Sequence, residues 1–334
     1  MLKIVYVVES LEISGGVKVI VEHADGLLAR GHDVSIVTRD PRHDWIRIET
    51  PILSVPAFDA GTLPRADVHV ATWFPTVVPT VRAAQAERIF HFSQGYEAIY
   101  PYLAPRREEI DEAYSQPVPK LLISAHLETL FRGRFPGPFH VLPQAIRVAD
   151  YRPTEPRSAP RPTPAIGVVG PFEAVNKGIP VALAALRRLR RQRPLRIHRA
   201  SQLPLSAEEA GRWPSESYRQ GASVEEMISF YKTLDLLIHP SFEAEGFPLP
   251  PLEAMASGVP VVVTDIPSYG PIPDDSVSRV APGDEEAMAR EAERLLGDPP
   301  LWAARRARGL EVAAGFDLPR VLDVLESVLV QKTS

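Results

Sequence analysis

The chain alternates short, wholly apolar runs with longer stretches in which apolar residues return every three or four positions. "LKIVYVV" near the start is a run of strand length. After "ESLEISGG", the residues Val17, Ile20, Val21, Ala24, Leu27 and Leu28 fall at helical spacing, and Gly31 stops that helix. "DVSIVT", "ADVHVAT", "RIFHFS", "KLLIS" and "FHVLP" follow as five further predicted strands, with helical segments between several of them. Strands alternating with helices predict a parallel, doubly wound α/β sheet.

Residues 151–164 read "YRPTEPRSAPRPTP", five prolines in 14 residues, and proline cannot donate to a helix or a sheet ladder. This stretch is the expected linker. Beyond it the pattern restarts: "AIGVVG" as strand, Ile179 to Arg191 as helix, "LRIHRA" as strand, Val224 to Lys232 as helix, "LDLLIHP" as strand, Leu252 to Ala256 as helix and "VPVVVTD" as strand. The expected organisation is one Rossmann-like domain over 1–150, the Pro-rich link over 151–164, and a second Rossmann-like domain over 165–317. A final helix over 318–334 carries an apolar stripe that can cross to the first domain. Small ligands bind in clefts between such halves, at the carboxyl ends of strands.

Composition narrows the chemistry. A chain of 334 residues, 45% hydrophobic, has room for two cores at about 100 to 200 residues per domain. Lysine and arginine number 37 against 42 acidic residues, so the net charge of -5 gives no reason to expect nucleic acid as a partner. Cysteine is absent, which excludes disulfides, thiolate metal sites and cysteine nucleophiles together. "MLKIVYVVES" lacks the long apolar region and cleavage site of a signal peptide, and no stretch reaches membrane-spanning length. The expected location is the cytoplasm, with contact at a membrane surface still allowed.

Several loops carry candidate chemistry. Ser14, Gly15 and Gly16 lie between the first strand and the first helix, where glycines let backbone approach a ligand or simply form a tight turn. "VVGPFEAVNKG" places Gly170 and Lys177 in the corresponding loop of the second half, where a lysine can meet a phosphate or only solvent. Arg187, Arg188, Arg190, Arg191 and Arg193 form a basic run that reads first as a solvated helix face. In "HPSFEAEGFPLPPLEAMASGVPVVVTD", Pro250 or Pro251 suits a first helical turn, which puts Glu253 in that turn and Glu245 in the loop before it. A carboxylate among apolar residues at the mouth of a strand is costly unless hydrogen-bonded, and sugar hydroxyls can supply those bonds.

That last stretch resembles the donor-site signature of retaining family 4 glycosyltransferases of the GT-B fold, E-x(7)-E, with Glu245 and Glu253 at the required spacing. The resemblance extends to "SGGVKVIVEHADGLLARGHDVSIVT", to "NKG" at Asn176 to Gly178, to "SYRQGASVEEMISFYKTLDLLIHPS" and to the C-terminal helix. "HFSQGYEAIYPYLAPRREEIDEAYSQPVPKLLIS" is similar to a branch with rhamnosyltransferase-like members. The resemblance implies that Glu253 holds the ribose hydroxyls and that Glu245 contacts the donor sugar at its reacting face. It further implies that Lys177 neutralises the diphosphate and that Gly246, Phe247 and Leu249 line the sugar pocket. Gly15 and Gly16 would close over the phosphates, Gly170 would mark the loop beneath them, and Arg219 to Gly221 would lie near the base.

Three positions depart from the family pattern: Pro171 where an arginine is frequent, Gln94 where a histidine often ends the strand, with His91 close by, and Pro248 in place of a glycine. Gln94 is therefore the acceptor-side catalytic candidate. No D-x-D sequence occurs, so a metal held against the diphosphate is not expected, and neither is any cofactor beyond the nucleoside-diphosphate sugar itself. The acceptor implied is a saccharide, lipid-linked or small-molecule hydroxyl, the donor sugar a hexose or deoxyhexose. Alternatives are a nucleotide-sugar-binding homologue without catalysis, or another GT-B chemistry such as an epimerase or a phosphorylase.

Overall fold

The structure, a computed structural model, describes residues 1–242 and 246–331. Two compact units divide the chain: Met1–Ala145 together with the C-terminal segment from Leu318, and Ile146–Asp317. In the first, strands β1 (Lys3–Ser10), β2 (Asp33–Asp40), β3 (Ile52–Ser54), β4 (Ala66–Ala71), β5 (Ala86–Ser93), β6 (Lys120–Leu122) and β7 (Phe139–Val141) form one sheet in the order β3-β2-β1-β4-β5-β6-β7. In the second, β8 (Ala165–Val169), β9 (Arg196–Ser201), β10 (Ser217–Gln220), β11 (Leu236–His239), β12 (Val261–Thr264) and β13 (Ser278–Val280) form a sheet ordered β10-β9-β8-β11-β12-β13. Every pairing in both sheets is parallel.

Central strands are buried on both faces, which is why they read as unbroken apolar runs. In β1, Ile4, Val5, Tyr6 and Val7 are all buried, and in β12 so are Val261, Val262 and Val263. Alternate residues of the second sheet, Ile166, Val168, Leu236, Ile238 and Val262, pack with Leu183, Leu186 and Leu189 of the helix Ile179–Arg190 and with Met288, Ala292 and Leu295 of the helix Glu285–Gly297. Residues of opposite parity, such as Leu237 and Val261, face the other way. β3, β10 and β13, the strands that the apolar pattern does not single out, all lie at sheet edges, where a strand needs neither length nor two apolar faces.

Within the second unit the proline-rich residues are pinned to the sheet. Asp235, wholly buried, accepts from the Arg157 guanidinium, from Arg161 Nη1 at 2.9 Å and from the Ala165 backbone N–H at 2.8 Å. Burial opposes its ionisation, yet the Ala165 N–H and the Arg157 guanidinium hold it below the usual carboxylate range. In the first unit, the helix Leu318–Val330 packs on the helix Gly15–Ala29, with Leu322 so near Gly26 that a Cβ there would lie 2.4 Å from its Cδ1. Arg30 closes the contact with bonds of 2.8 Å to both Asp323 and Glu326.

Of the histidines buried in these layers, His69 is lowered by burial, and His23, His91 and His239 shift furthest. Burial pushes His23 down to about 4, and His91 and His239 down to about 3, with Lys120 adding to the effect at His91 and Lys177 at His239. All three are neutral when folded, whereas unfolding lets them bind protons near about pH 6.5. Their contribution to stability is complete above that pH and is lost as the pH falls towards the folded values. Glu97 runs the other way, because burial raises it to about 7 and the folded chain keeps a proton there that the unfolded chain releases. The lowered histidines outnumber Glu97, so unfolding takes up protons on balance between about pH 4.5 and 6.5, and stability falls as the pH falls through that window. Urea midpoints should therefore fall steadily below about pH 6.5; a flat profile down to about pH 5 would show these rings to be hydrated or charged in the folded chain.

Candidate functional site

The second sheet reverses its winding between β8 and β11, and the loops that follow those two strands emerge side by side at the carboxyl edge. The first of them begins at Gly170, whose φ of +129° suits glycine. Its N–H donates to the Ala200 carbonyl at 2.9 Å and its own carbonyl accepts from Arg199 Nη2 at 2.8 Å. Arg199, fully buried, is paired with Glu209 at 2.6 Å, so the arginine fastens the loop from beneath and is spent on structure.

A single 3-10 turn, Val175–Lys177, then leads through Gly178 into the helix Ile179–Arg190. Gly178 has φ +61°, and a Cβ there would sit 2.2 Å from the Pro240 carbonyl oxygen. The loop after β11 answers with Phe242 N–H donating to the Asn176 carbonyl at 2.8 Å. "NKG" and "HPSF" thus meet backbone to backbone, which explains the glycine. At the end of β11, His239 Nδ1 lies 2.5 Å from the Tyr269 hydroxyl.

Glu245 falls outside the described residues. Phe247, buried, stacks on Phe316 with centroids 5.6 Å apart, and Gly246 and Leu249 are buried beside it. The following helix runs Leu249–Ala256, three residues earlier than its apolar spacing suggests, because the prolines at its start need no N–H partner there. Glu253 is accordingly its fifth residue and not part of the first turn, so the helix dipole does not account for it.

Glu253 is 7% exposed and accepts from the Tyr151 hydroxyl at 2.9 Å. Tyr231 is buried beside it, its phenol raised first by burial and then by the Glu253 charge. The two tyrosines come from Val148–Tyr151 and Val224–Lys232, helices that both pack on Glu253's own. Neither is visible as a site residue in the sequence: Tyr151 opens the proline-rich stretch and Tyr231 follows an ordinary helical pattern. Arg219 leans on the Phe230 ring and donates to the Glu226 carbonyl at 3.4 Å, and Gly221, at φ +56°, ends β10 with an N–H bond to Ser201. The basic run is a solvated face: Arg188 pairs with Glu286 at 2.8 Å, and Arg190 pairs with Glu216.

Residues 163–298, which hold most of this arrangement but neither Tyr151 nor Phe316, match the family model described as Glycosyl transferases group 1. A stretch of 85 residues is 40% identical to the lipopolysaccharide core biosynthesis mannosyltransferase LpsB of Rhizobium meliloti, covering 24% of each chain, about a quarter of that relative's length. The sucrose-phosphate synthase of Thermosynechococcus elongatus superposes with a TM-score of 0.80 at 16% identity, over 98% of both chains. Anabaena HepE, solved in complex with UDP and glucose, does so at 0.81 and 14% identity, over 99% of this chain and 100% of that one. The fold is GT-B.

In the first unit of this GT-B chain, Ser14 caps the helix Gly15–Ala29 by accepting the Val17 N–H at 3.0 Å. Gln94, just after β5, donates through Nε2 to the Gly16 carbonyl at 3.0 Å, so two residues singled out separately in the sequence form one contact. No group of three histidine or carboxylate side chains able to hold a metal occurs among the described residues, and no described helix is long and apolar enough to cross a membrane.

The two left-handed glycines of the second unit differ in surroundings. Gly178→Ala forces a Cβ into backbone and should destabilise the chain by roughly 2 to 4 kcal/mol. Gly221→Ala, with nothing within 4 Å of its Cβ position, should cost only about 1 kcal/mol of left-handed strain. Urea unfolding of both variants checks the order; equal losses would mean that the loop after β11 yields freely.

Proposed function

We propose that this protein is a retaining, metal-independent glycosyltransferase that moves a hexose or deoxyhexose from a nucleoside-diphosphate sugar to an acceptor hydroxyl. The observation that carries this reading is the pairing of a phosphate-type loop bearing Lys177 with a buried, tyrosine-held Glu253 at one switch point, inside the segment that matches group 1 glycosyl transferases. Glu253 is assigned to the ribose hydroxyls, a reading supported by its burial and its tyrosine partner. Lys177, ahead of the N-terminus of the helix Ile179–Arg190, meets the charge that grows on the diphosphate as the bond to the anomeric carbon breaks. That bond's electron pair leaves with the phosphate oxygen, while the acceptor oxygen bonds to the anomeric carbon and gives up its proton. Glu245 is assigned to the donor sugar by its spacing from Glu253. The mannosyltransferase relatives favour mannose as the proposed donor sugar, while the rhamnosyltransferase-like segment favours L-rhamnose, a 6-deoxy sugar of the mirror-image series.

Glu253→Ala should weaken binding of free nucleoside diphosphate by roughly 10- to 100-fold, the worth of a charged hydrogen bond, and Tyr151→Phe by a few-fold. Calorimetry decides this; nucleotide affinity unchanged in Glu253→Ala would remove the ribose assignment.

With Pro171 in place of an arginine, Lys177→Ala should lower kcat/KM by about a hundredfold or more, and Lys177→Arg should recover only part of it, because a planar guanidinium does not fill the place of a compact ammonium. Turnover of GDP-mannose, dTDP-rhamnose and UDP-glucose, followed with and without EDTA and with the product anomer read by NMR, tests the rest. An inverted product or loss of turnover in EDTA would refute the mechanism as stated.

A further inference from the structure

The loop after β5 supplies a second arrangement, built wholly within the first unit. Ser93 donates to the Gly95 carbonyl at 2.7 Å, and the Tyr114 hydroxyl lies 2.7 Å from that carbonyl and 2.6 Å from Glu97 Oε2. Tyr96 is locked by its hydroxyl bond to Asp111 at 2.6 Å and by Arg134 over its ring at 4.6 Å. Further along, Arg106 lies 4.5 Å over the Phe74 ring and pairs with Glu109. The segment between these two anchors is held out as two short 3-10 turns, Glu97–Ile99 and Pro101–Arg106.

On this scaffold Tyr100 and Tyr102 stack nearly parallel, 18° apart with centroids 5.6 Å apart, and Tyr102 exposes 74% of its surface. Ile99 beside them is 42% exposed. The Tyr100 hydroxyl reaches back over Gly95, where a Cβ would meet it at 3.4 Å, so the stacked pair and the Glu97 carboxyl share one neighbourhood. A flat aromatic face beside a carboxyl suits a pyranose ring, which offers C–H bonds on its face and hydroxyl donors at its edge.

We propose that Tyr100 and Tyr102, with Glu97, form a saccharide-binding platform that stacks a pyranose of the acceptor on Tyr102 and takes one of its hydroxyls at Glu97. Charge decides against an anionic membrane as the occupant: residues 94–114 carry two arginines against four carboxylates besides Glu97, namely Glu108, Glu109, Asp111 and Glu112. As an acceptor subsite the platform rests on the transferase reading; as a carbohydrate-binding surface it can be tested without it.

Saturation-transfer NMR on the full chain, with methyl pyranosides of mannose, rhamnose, glucose and N-acetylglucosamine as probes and no donor present, reads the platform alone. At least one probe should give a transfer signal that falls five-fold or more in Tyr102→Ala, persists in Tyr102→Phe and drops in Glu97→Gln, while the thermal midpoint and nucleoside diphosphate binding stay as in the wild type. No signal from any probe, or a signal equal in Tyr102→Ala, overturns the proposal, as does binding to vesicles of phosphatidylglycerol that depends on Tyr102. Nucleotide failing to bind while the Tyr102-dependent saccharide signal persists would instead strike the transferase reading and leave the platform standing.

Discussion

Burial of both parallel sheets on both faces is the constraint from which the rest follows. A central strand with helices above and below has no surface for polar chemistry along its length, so reactive groups are driven to strand ends and to the loops beyond them. His91 and His239, inside β5 and at the end of β11, are neutral for this reason. The polar residues that do enter the layers arrive with partners: Arg199 with Glu209, and Asp235 with Arg157 and Arg161.

At the β8/β11 switch point the same constraint produces rigidity. Gly170 is bonded on one side to β9 and fastened by Arg199 from below, and Gly178 lets the Pro240 carbonyl come within a distance no side chain could tolerate. Backbone contact between the two loops fixes Asn176 against Phe242 and Gly178 against Pro240. Glu253 is held differently. Its carboxyl sits in an aromatic pocket, where a tyrosine hydroxyl offsets the cost of burial and fixes which way the oxygens point.

The first unit uses its loops in another way. Gln94 reaches across to the Gly16 carbonyl and joins the ends of β1 and β5, while the residues that follow it turn outward on a Tyr96 and Arg106 scaffold. Exposure of aromatic rings there contrasts with the second unit, where the buried Phe247 stacks on a half-buried Phe316. The C-terminal helix Leu318–Val330 completes this unit, its leucines filling the groove that Gly26 leaves open.

The central strands, the helices with apolar stripes and the proline-rich stretch were legible in local periodicity and composition, and the spacing of Glu245 and Glu253 singled out those carboxylates, whose roles belong to the proposed function. Edge strands β3, β10 and β13 escaped such local patterns, since an edge needs no apolar run, and the start of the helix Leu249–Ala256 was hidden by its prolines. Which distant groups meet became visible in the folded chain alone: Tyr151 with Glu253, Gly178 with Pro240, Gln94 with Gly16, and Arg157 and Arg161 with Asp235. Those pairings depend on strand order, and strand order is fixed by how whole layers bury one another, a property that no local stretch of the chain carries.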